Sequence, residues 1–170
     1  MPIKTSMILC SYNEENYIKN TISELEKNIQ NLELVIVDDN STDDTKEIIN
    51  QLNHDNRIKI IFRKKSKGLA SAFLRGIVET TGDYIGWLDT NMAELAPRFK
   101  EMSDILSSSN DIVILSRYIE GGSDKRNLLR VLSSKYFNAL CRLMLRANIK
   151  DYTTSVFLMK RQVMNEVTFL

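Results

Sequence analysis

The chain predicts an α/β fold in which a mostly parallel central sheet carries helices on both faces, a Rossmann-like three-layer arrangement. Two patterns point there. Short apolar runs rich in β-favouring residues alternate with stretches of helical periodicity, and those stretches have about ten residues or more, enough for right-handed crossovers between parallel strands. Composition agrees: 43% of the 170 residues are hydrophobic and 26% charged, with only 6 Gly and 2 Pro, so most of the length is available for packing.

Each element follows from local sequence. Lys4 to Cys10 is a β-favouring apolar run, and from Glu15 to Asn28 the residues Ile18, Ile22 and Leu25, then Ile29, recur at helical spacing. Leu32 to Val37 is a second strand ended by Asp38 and Asp39. Ser41, with Asp44 three residues on, reads as the N-cap and N3 positions of a helix reaching about Leu52. Ile58 to Phe62 is the third strand and Ala70 to Thr80 the helix after it. Gly82 turns the chain into a fourth strand, Asp83 to Leu88, and Pro97 suits the first turn of the next helix. Ile112 to Leu115 is a fifth strand. Gly121 and Gly122 punctuate a loop before a long helix from Leu128 to about Asn148, and Val156 to Met159 precedes a short helix from Arg161.

Several function classes are excluded. No apolar run approaches the roughly 20 residues of a membrane-spanning helix, and Met1 to Thr5 lacks a signal-peptide pattern. Cys10 and Cys141 stand apart from other metal-ligating residues, which argues against a zinc site or a disulfide scaffold and for a reducing, cytoplasmic compartment. There is no G-x-G-x-x-G after the first strand and no G-x-x-x-x-G-K-[ST] loop, so dinucleotide oxidoreductases and P-loop NTPases are disfavoured. His54, the single histidine, lies in the polar stretch Asn53 to Asn56 and reads as a solvated loop residue.

The net charge of +1 hides an asymmetry. Lys125 to Lys150 carries seven basic residues and no acidic one, leaving 16 basic against 22 acidic residues elsewhere. Composition leaves nucleic acid, an anionic membrane surface or a phosphorylated substrate open as its partner. The segment lacks the interleaved stacking aromatics of a single-strand reader, which disfavours nucleic acid. Its helix mixes Leu132, Tyr136, Leu140, Leu143 and Ala147 with Arg142 and Arg146, and fits either an interfacial helix on anionic lipid or a core helix with a solvated basic face.

Ligands of parallel α/β sheets meet the carboxyl ends of the strands. That rule selects Cys10 to Glu14, Asp38 to Ser41, Arg63 to Gly68, Asp89 to Asn91 and Arg117 as one rim. Asp38 and Asp39 suit a ribose hydroxyl, a base N–H or a hard cation; equally, Asp38-Asp39-Asn40-Ser41 suits a turn that caps a helix. Asp89 and Asn91, at i and i+2, face the same way if the chain stays extended, and such a pair can share one Mg2+ or Mn2+ whose other positions take phosphate oxygens.

Ser11-Tyr12-Asn13-Glu14-Glu15, Val37-Asp38-Asp39-Asn40-Ser41-Thr42-Asp43, Lys67-Gly68-Leu69, Thr81-Gly82-Asp83-Tyr84-Ile85, Asp89-Thr90-Asn91 and Ser116-Arg117-Tyr118 with Gly121-Gly122 come in a telling order and spacing. Together they resemble inverting family 2 glycosyltransferases of the GT-A fold, and most closely the dolichyl-phosphate or polyprenyl-phosphate mannose synthase branch. Asp151-Tyr152-Thr153-Thr154-Ser155-Val156-Phe157 is similar to a further signature of that branch, so the resemblance covers essentially the whole chain.

The resemblance implies a single catalytic domain over residues 1–170, truncated relative to the family at its C-terminus. It implies transfer of a hexose from GDP-mannose or a UDP-hexose to a polyprenyl phosphate. Tyr12 and Glu14 would hold base and ribose, and Asp39, with Asp38 and Val37, would read the base edge. Asp89, Thr90 and Asn91 would meet the diphosphate through Mg2+ or Mn2+ on Asp89 and Asn91. Lys67 or Arg63 would add positive charge there, or be solvated loop charges. Arg117, Arg130 and Ser134 would grip the acceptor phosphate, with Asp89 and Arg117 catalytic, and the protein would sit peripherally at the cytoplasmic face of a membrane. Asn91 replaces the family's second Asp, which weakens metal affinity; Ala93 replaces a polar residue, Cys10 a Pro and Val156 a Gly. A non-catalytic sugar-nucleotide-binding subunit of a glycan assembly system therefore remains the alternative.

Overall fold

Seven consecutive buried residues, apolar but for Glu33 and the terminal Asp38, form the strand β2 (Leu32–Asp38). Burial on both faces is what a central strand of a helix-covered sheet requires. The computed structural model describes residues 3–52, 55–65, 68–108, 110–119, 127–146 and 149–166. In chain order the remaining elements are β1 (Thr5–Ser11), α1 (Ile18–Asn28), α2 (Thr45–Asn50), β3 (Ile58–Phe62), α3 (Leu69–Ile77), β4 (Tyr84–Trp87), α4 (Arg98–Ser108), β5 (Ile112–Ile114), α5 (Leu128–Leu145), β6 (Phe157–Lys160) and α6 (Gln162–Glu166). A 3-10 turn at Ala93–Leu95 precedes α4.

The sheet order is β3-β2-β1-β4-β6-β5. β1 pairs in parallel with both β2 and β4, and β2 with β3. The chain thus moves outward from β1 to β3 and returns to β4 on the other side, so the strand order reverses between β1 and β4, where such sheets open a crevice at their carboxyl ends. β6 runs the other way: Lys160 N donates to Asp111 O, Leu115 N to Val156 O and Arg161 N to Asp83 O, a falling register characteristic of antiparallel pairing. Helices cover the sheet with the faces their spacing predicts, including Ile18, Thr21, Ile22 and Leu25 of α1 and Phe99, Met102 and Leu106 of α4.

Two compact units are distinguishable: Met1–Val113 with Leu158–Leu170, and Ile114–Phe157. The first contains β1 to β4 with their helices; the second contains α5 and the segment around Asp151.

At the amino ends of the strands one buried carboxylate ties the first unit together. Glu33, 3% exposed, accepts hydrogen bonds from Ser6 Oγ (2.5 Å), Thr81 N (2.6 Å), Thr81 Oγ1 (2.6 Å) and Lys4 Nζ (3.0 Å), and Lys59 Nζ lies 3.3 Å away. Ser6 Oγ also accepts from Gly82 N (2.7 Å). A side chain at Gly82 would put its Cβ 2.7 Å from Lys4 O and Ser6 N, so this close approach of two backbones admits glycine alone.

One predicted element changes at its start. α2 begins at Thr45 after Asp44, with no side-chain cap, while Ser41 bonds backwards to Asp38 instead of capping the helix. The Asp38–Ser41 stretch is a turn and not a capping box, because the buried carboxylate competes successfully for the hydroxyl. His54 and the pair Gly121-Gly122 lie outside the described residues.

Burial alone would raise the Glu33 pKa, but the hydrogen bonds from Ser6, Thr81 and Lys4 outweigh it and bring it from 4.5 to about 2. A folded-state value below the unfolded one stabilises the fold above the unfolded pKa, and the contribution is lost as pH falls through about 2. Glu33→Gln is therefore expected to lower stability at neutral pH by roughly 1–3 kcal/mol and to flatten the loss of stability on acidification. Urea unfolding of both proteins across the acid range checks this; identical curves would contradict it.

Candidate functional site

Parallel pairing brings the carboxyl ends of β3, β2, β1 and β4 to one edge of the first unit. The register aligns Ser11 with Asp38 and Asp38 with Phe62, and Asp39 N donates to Ser11 O (2.8 Å) while Arg63 N donates to Asp38 O (2.9 Å). The loops beyond β1 and β2 are welded to each other. Asp38, fully buried, accepts from Ser41 N (3.0 Å), from the Ser41 hydroxyl and from Ser11 Oγ (3.3 Å). Ser41 Oγ in turn accepts from Asn13 N (2.9 Å), Asn13 Oδ1 accepts from Thr42 N (2.8 Å), and Thr45 Oγ1 accepts from Glu14 N (2.8 Å). Tyr12 is left 52% exposed at the head of this assembly.

Asp39 is the second carboxylate of the pair and has a different environment. Its Oδ1 lies 2.8 Å from Arg63 Nη1, with both side chains at most 10% exposed, and its Oδ2 accepts from Gly68 N (2.9 Å). Arg63 is thus a buried partner of Asp39 and not a solvated loop charge. Lys67 lies outside the described residues. Val37 is fully buried, so its side chain belongs to the core.

Asp89 follows β4, and Met92 N donates to its carbonyl (3.0 Å). The chain turns directly after Asp89, so Asp89 and Asn91 do not sit on an extended segment as expected; a turn joins them. Thr90 is buried, its carbonyl accepting from Thr21 Oγ1 (2.5 Å), while Asn91 is exposed. The negative field of Asp89 reaches two neighbours. Burial pushes the Cys10 thiol up to about 12, Asp89 and Asp39 push the same way, and Arg63 opposes them. Cys10 is therefore a neutral thiol between the two carboxylates. Glu14 is raised by burial and by Asp89 and Asp43, against a hydrogen bond with Thr90. Tyr12, Glu14, Asp39, Arg63 and Asp89 thus share one edge, where Asp89 disfavours negative charge on both Cys10 and Glu14. No cluster of three or more His, Cys, Asp or Glu side chains able to hold a metal occurs among the described residues. Asp89 and Asn91 offer two hard oxygen donors in a negative field, a partial set that fits a cation whose remaining positions come from a bound anion.

In the second unit, Arg117 forms a fork on Asp151: Nε to Oδ2 at 2.8 Å and Nη2 to Oδ1 at 2.9 Å, with Nη2 also donating to Thr153 Oγ1 (2.5 Å). Its guanidinium lies 5.4 Å from the Tyr118 ring centroid. The Asp151 side chain is fully buried and that of Arg117 is 22% exposed. Arg130 and Ser134 lie one turn apart on α5, Arg130 exposed and Ser134 half-buried. A cavity of about 450 Å³ is lined instead by Arg117, Tyr118, Lys135, Asn138, Arg142 and Lys150. Of these, Lys135 and Arg142 were read from sequence only as part of the basic segment and Asn138 was missed, although the three stand at i, i+3 and i+7, the spacing of one helical face.

Comparison with known proteins agrees with this fold. A family model for glycosyl transferase family 2 matches residues 6–168. A dolichol-phosphate mannosyltransferase of Pyrococcus furiosus is 32% identical over 170 residues, covering 97% of this chain and 48% of that protein. An uncharacterized glycosyltransferase of Haemophilus influenzae is 31% identical over 163 residues, covering 88% of this chain and 65% of its own length. The chain thus spans about half to two thirds of these relatives. Among solved structures, glucosyl-3-phosphoglycerate synthase of Mycobacterium tuberculosis in complex with Mn2+, UDP and glucosyl-3-phosphoglycerate superposes with a TM-score of 0.72 at 18% identity, covering 98% of this chain and 60% of that one. S. aureus TarS superposes with a TM-score of 0.61 at 17% identity, covering 96% and 49%. These likenesses identify the sheet as a GT-A fold. No helix among the described residues is long and apolar enough to cross a membrane.

The Arg117–Asp151 fork generates a prediction. Burial would raise the Asp151 pKa, yet hydrogen bonds from Arg117 and Thr153 outweigh it and bring the value to about 2. Arg117→Ala leaves a buried carboxylate without its cation, so stability is expected to fall by about 3–5 kcal/mol and the Asp151 pKa to climb. Chemical denaturation with carboxyl-resolved NMR titration checks both; an Asp151 that still titrates near its original value would contradict the pairing.

Proposed function

Because the chain belongs to glycosyl transferase family 2, we propose that residues 1–170 act as a catalytic domain moving a hexose from a nucleoside diphosphate sugar to a polyprenyl (dolichyl) phosphate, with inversion. The observation that carries this is that Asp39 and Asp89, beyond the strands on either side of β1, both act on Cys10 at one sheet edge while Asp89 also acts on Glu14, with the hard donor Asn91 two residues beyond Asp89. The donor reading is supported by the Mycobacterium tuberculosis neighbour, whose complexes hold UDP or UDP-glucose with Mn2+. The lipid-phosphate acceptor is supported by the Pyrococcus furiosus relative, which is named for dolichol phosphate.

Roles follow from chemistry. Tyr12 offers an exposed ring face for the base, and Glu14, with its raised pKa, accepts or donates to a ribose hydroxyl. Asp39, oriented by Arg63 and Gly68 N, accepts from a base N–H, while Asp38 and Val37 act by shaping the loop that presents it. Asp89 and Asn91, with Thr90 fixing the turn between them, would hold Mg2+ or Mn2+, and Lys67 would add positive charge. Such a cation neutralises charge on the departing diphosphate. Arg117, Arg130 and Ser134 orient the acceptor phosphate. That phosphate is already anionic at neutral pH, so it attacks without a strong general base, which suits an edge with no histidine among the described residues. The protein would work peripherally at the cytoplasmic face of a membrane.

Calorimetry with UDP and GDP, with and without Mn2+, tests the donor half; a transfer assay on a polyprenyl phosphate tests the rest. Asp89→Ala is expected to abolish the metal-dependent part of nucleotide binding. Asn91→Asp is expected to tighten it on the order of tenfold by adding a ligand charge. Metal-dependent binding without transfer would favour the non-catalytic subunit; no nucleotide binding at all would overturn both.

A further inference from the structure

Asp39, Arg63, Gly68 and Ser71 close a ring of polar contacts that ties the ends of β2 and β3 to the start of α3. Arg63 Nη1 lies 2.8 Å from Asp39 Oδ1, and Arg63 Nη2 donates to Ser71 Oγ (2.8 Å). That hydroxyl donates in turn to Gly68 O (3.0 Å), and Gly68 N returns to Asp39 Oδ2 (2.9 Å). Each oxygen of the carboxylate is thus gripped from a different segment. The guanidinium fork spans two corners of the ring, a geometry an ammonium does not reproduce. Gly68 has a φ of 86°, and a Cβ there would meet nothing within 4 Å, so backbone conformation and not space reserves the position for glycine.

The ring fixes what Asp39 offers to a ligand. A guanidinium stays charged in proteins, and an ionised carboxylate paired with it acts as an acceptor only. The Arg63 side chain is 10% exposed and turned to Asp39 and Ser71, so it acts through the carboxylate and not on a ligand. Uracil and guanine carry a ring N–H on their pairing edge, whereas cytosine and adenine carry a ring nitrogen lone pair in its place. A fixed acceptor satisfies the first kind of base and faces a lone pair on the second, so repulsion of the wrong base adds to attraction of the right one.

We propose that this ring is the base selector of the donor site: Arg63 and Ser71 are positioning residues that hold Asp39 as a fixed anion, and the site admits nucleoside diphosphates whose base bears a ring N–H while rejecting those of cytosine and adenine. The inference rests on the donor reading of the preceding section and adds to it the class of base and the residues that enforce the choice. Ser71 touches no ligand in this scheme. Its hydroxyl, placed between Arg63 and the Gly68 carbonyl, keeps the fork and the Gly68 N–H aimed at the same carboxylate.

The test is calorimetry of the full chain with UDP, CDP, GDP and ADP in the presence of Mn2+, with Mn2+ pyrophosphate as a ligand that has no base. Whichever size of base fits, the member with the ring N–H, UDP over CDP or GDP over ADP, is expected to bind about 50-fold tighter. Ser71→Ala and Arg63→Lys are expected to cut that ratio to roughly fivefold and Ser71→Thr to restore it, with pyrophosphate binding unchanged in all three. On an Asp39→Asn background, where the selectivity is already gone, Ser71→Ala should add nothing. A parent chain that binds nucleotides without regard to the base, variants that keep the full ratio, or a loss that extends equally to pyrophosphate overturns the proposal and leaves the donor site standing. Should Arg63→Lys fail to fold, Ser71→Ala and Ser71→Thr, at a half-buried helix position, carry the same decision. A parent chain that binds none of the nucleotides refutes the donor reading itself, and the base selector with it.

Discussion

A carboxylate with no access to solvent, that of Asp38, organises the edge on which the proposed donor site depends. Burying an ionised carboxylate costs several kcal/mol unless donors replace its water. Here the replacements are Ser41 N and the Ser41 hydroxyl from the turn after β2 and Ser11 Oγ from the end of β1. Satisfying this one group fixes the path of the β2 loop, and Ser41 passes the constraint to the β1 loop through Asn13 N. Asn13 and Asn40 adopt left-handed backbone (φ 58° and 70°), a conformation asparagine tolerates better than most residues. Tyr12 and Glu14 are consequently presented by a braced loop, which is the preorganisation a binding site needs.

The two carboxylates at the head of that edge are treated differently by their surroundings. Asp39 has a buried cation, Arg63, within hydrogen-bond reach, while the field of Asp89 extends to Cys10 and Glu14 and disfavours negative charge on both. On the proposed reading Asp39 meets the base, and Asp89 a cation that would accompany the diphosphate and neutralise its charge. The strand-order reversal between β1 and β4 leaves room for a ligand to lie across them.

Much of this was legible in the sequence because it depends on period and position. The run Leu32 to Val37 followed by two aspartates announces a buried strand and its ligand end, and Tyr84 to Leu88 followed by Asp89 does the same. What was not legible depends on contacts between distant residues. The Asp39–Arg63 pair arises from the parallel register that sets Asp38 opposite Phe62, which no local pattern encodes. Ser41 looks like a helix cap until the buried Asp38 competes for its hydroxyl. In α5, periodicity reveals an apolar row but not what covers it, and only the polar inward positions around Asn138 tell that the row faces outward.

The paramagnetism of Mn2+ offers the most direct measurement. Added with UDP to isotopically labelled protein, it should broaden the amide resonances of Asp89 to Met92, and more weakly those of Tyr12 to Glu14 and Asp39 to Ser41, leaving the amino ends of the same strands around Glu33 sharp. Broadening centred away from Asp89, or unchanged by omitting the nucleotide, would contradict a cation-assisted nucleotide site at this edge.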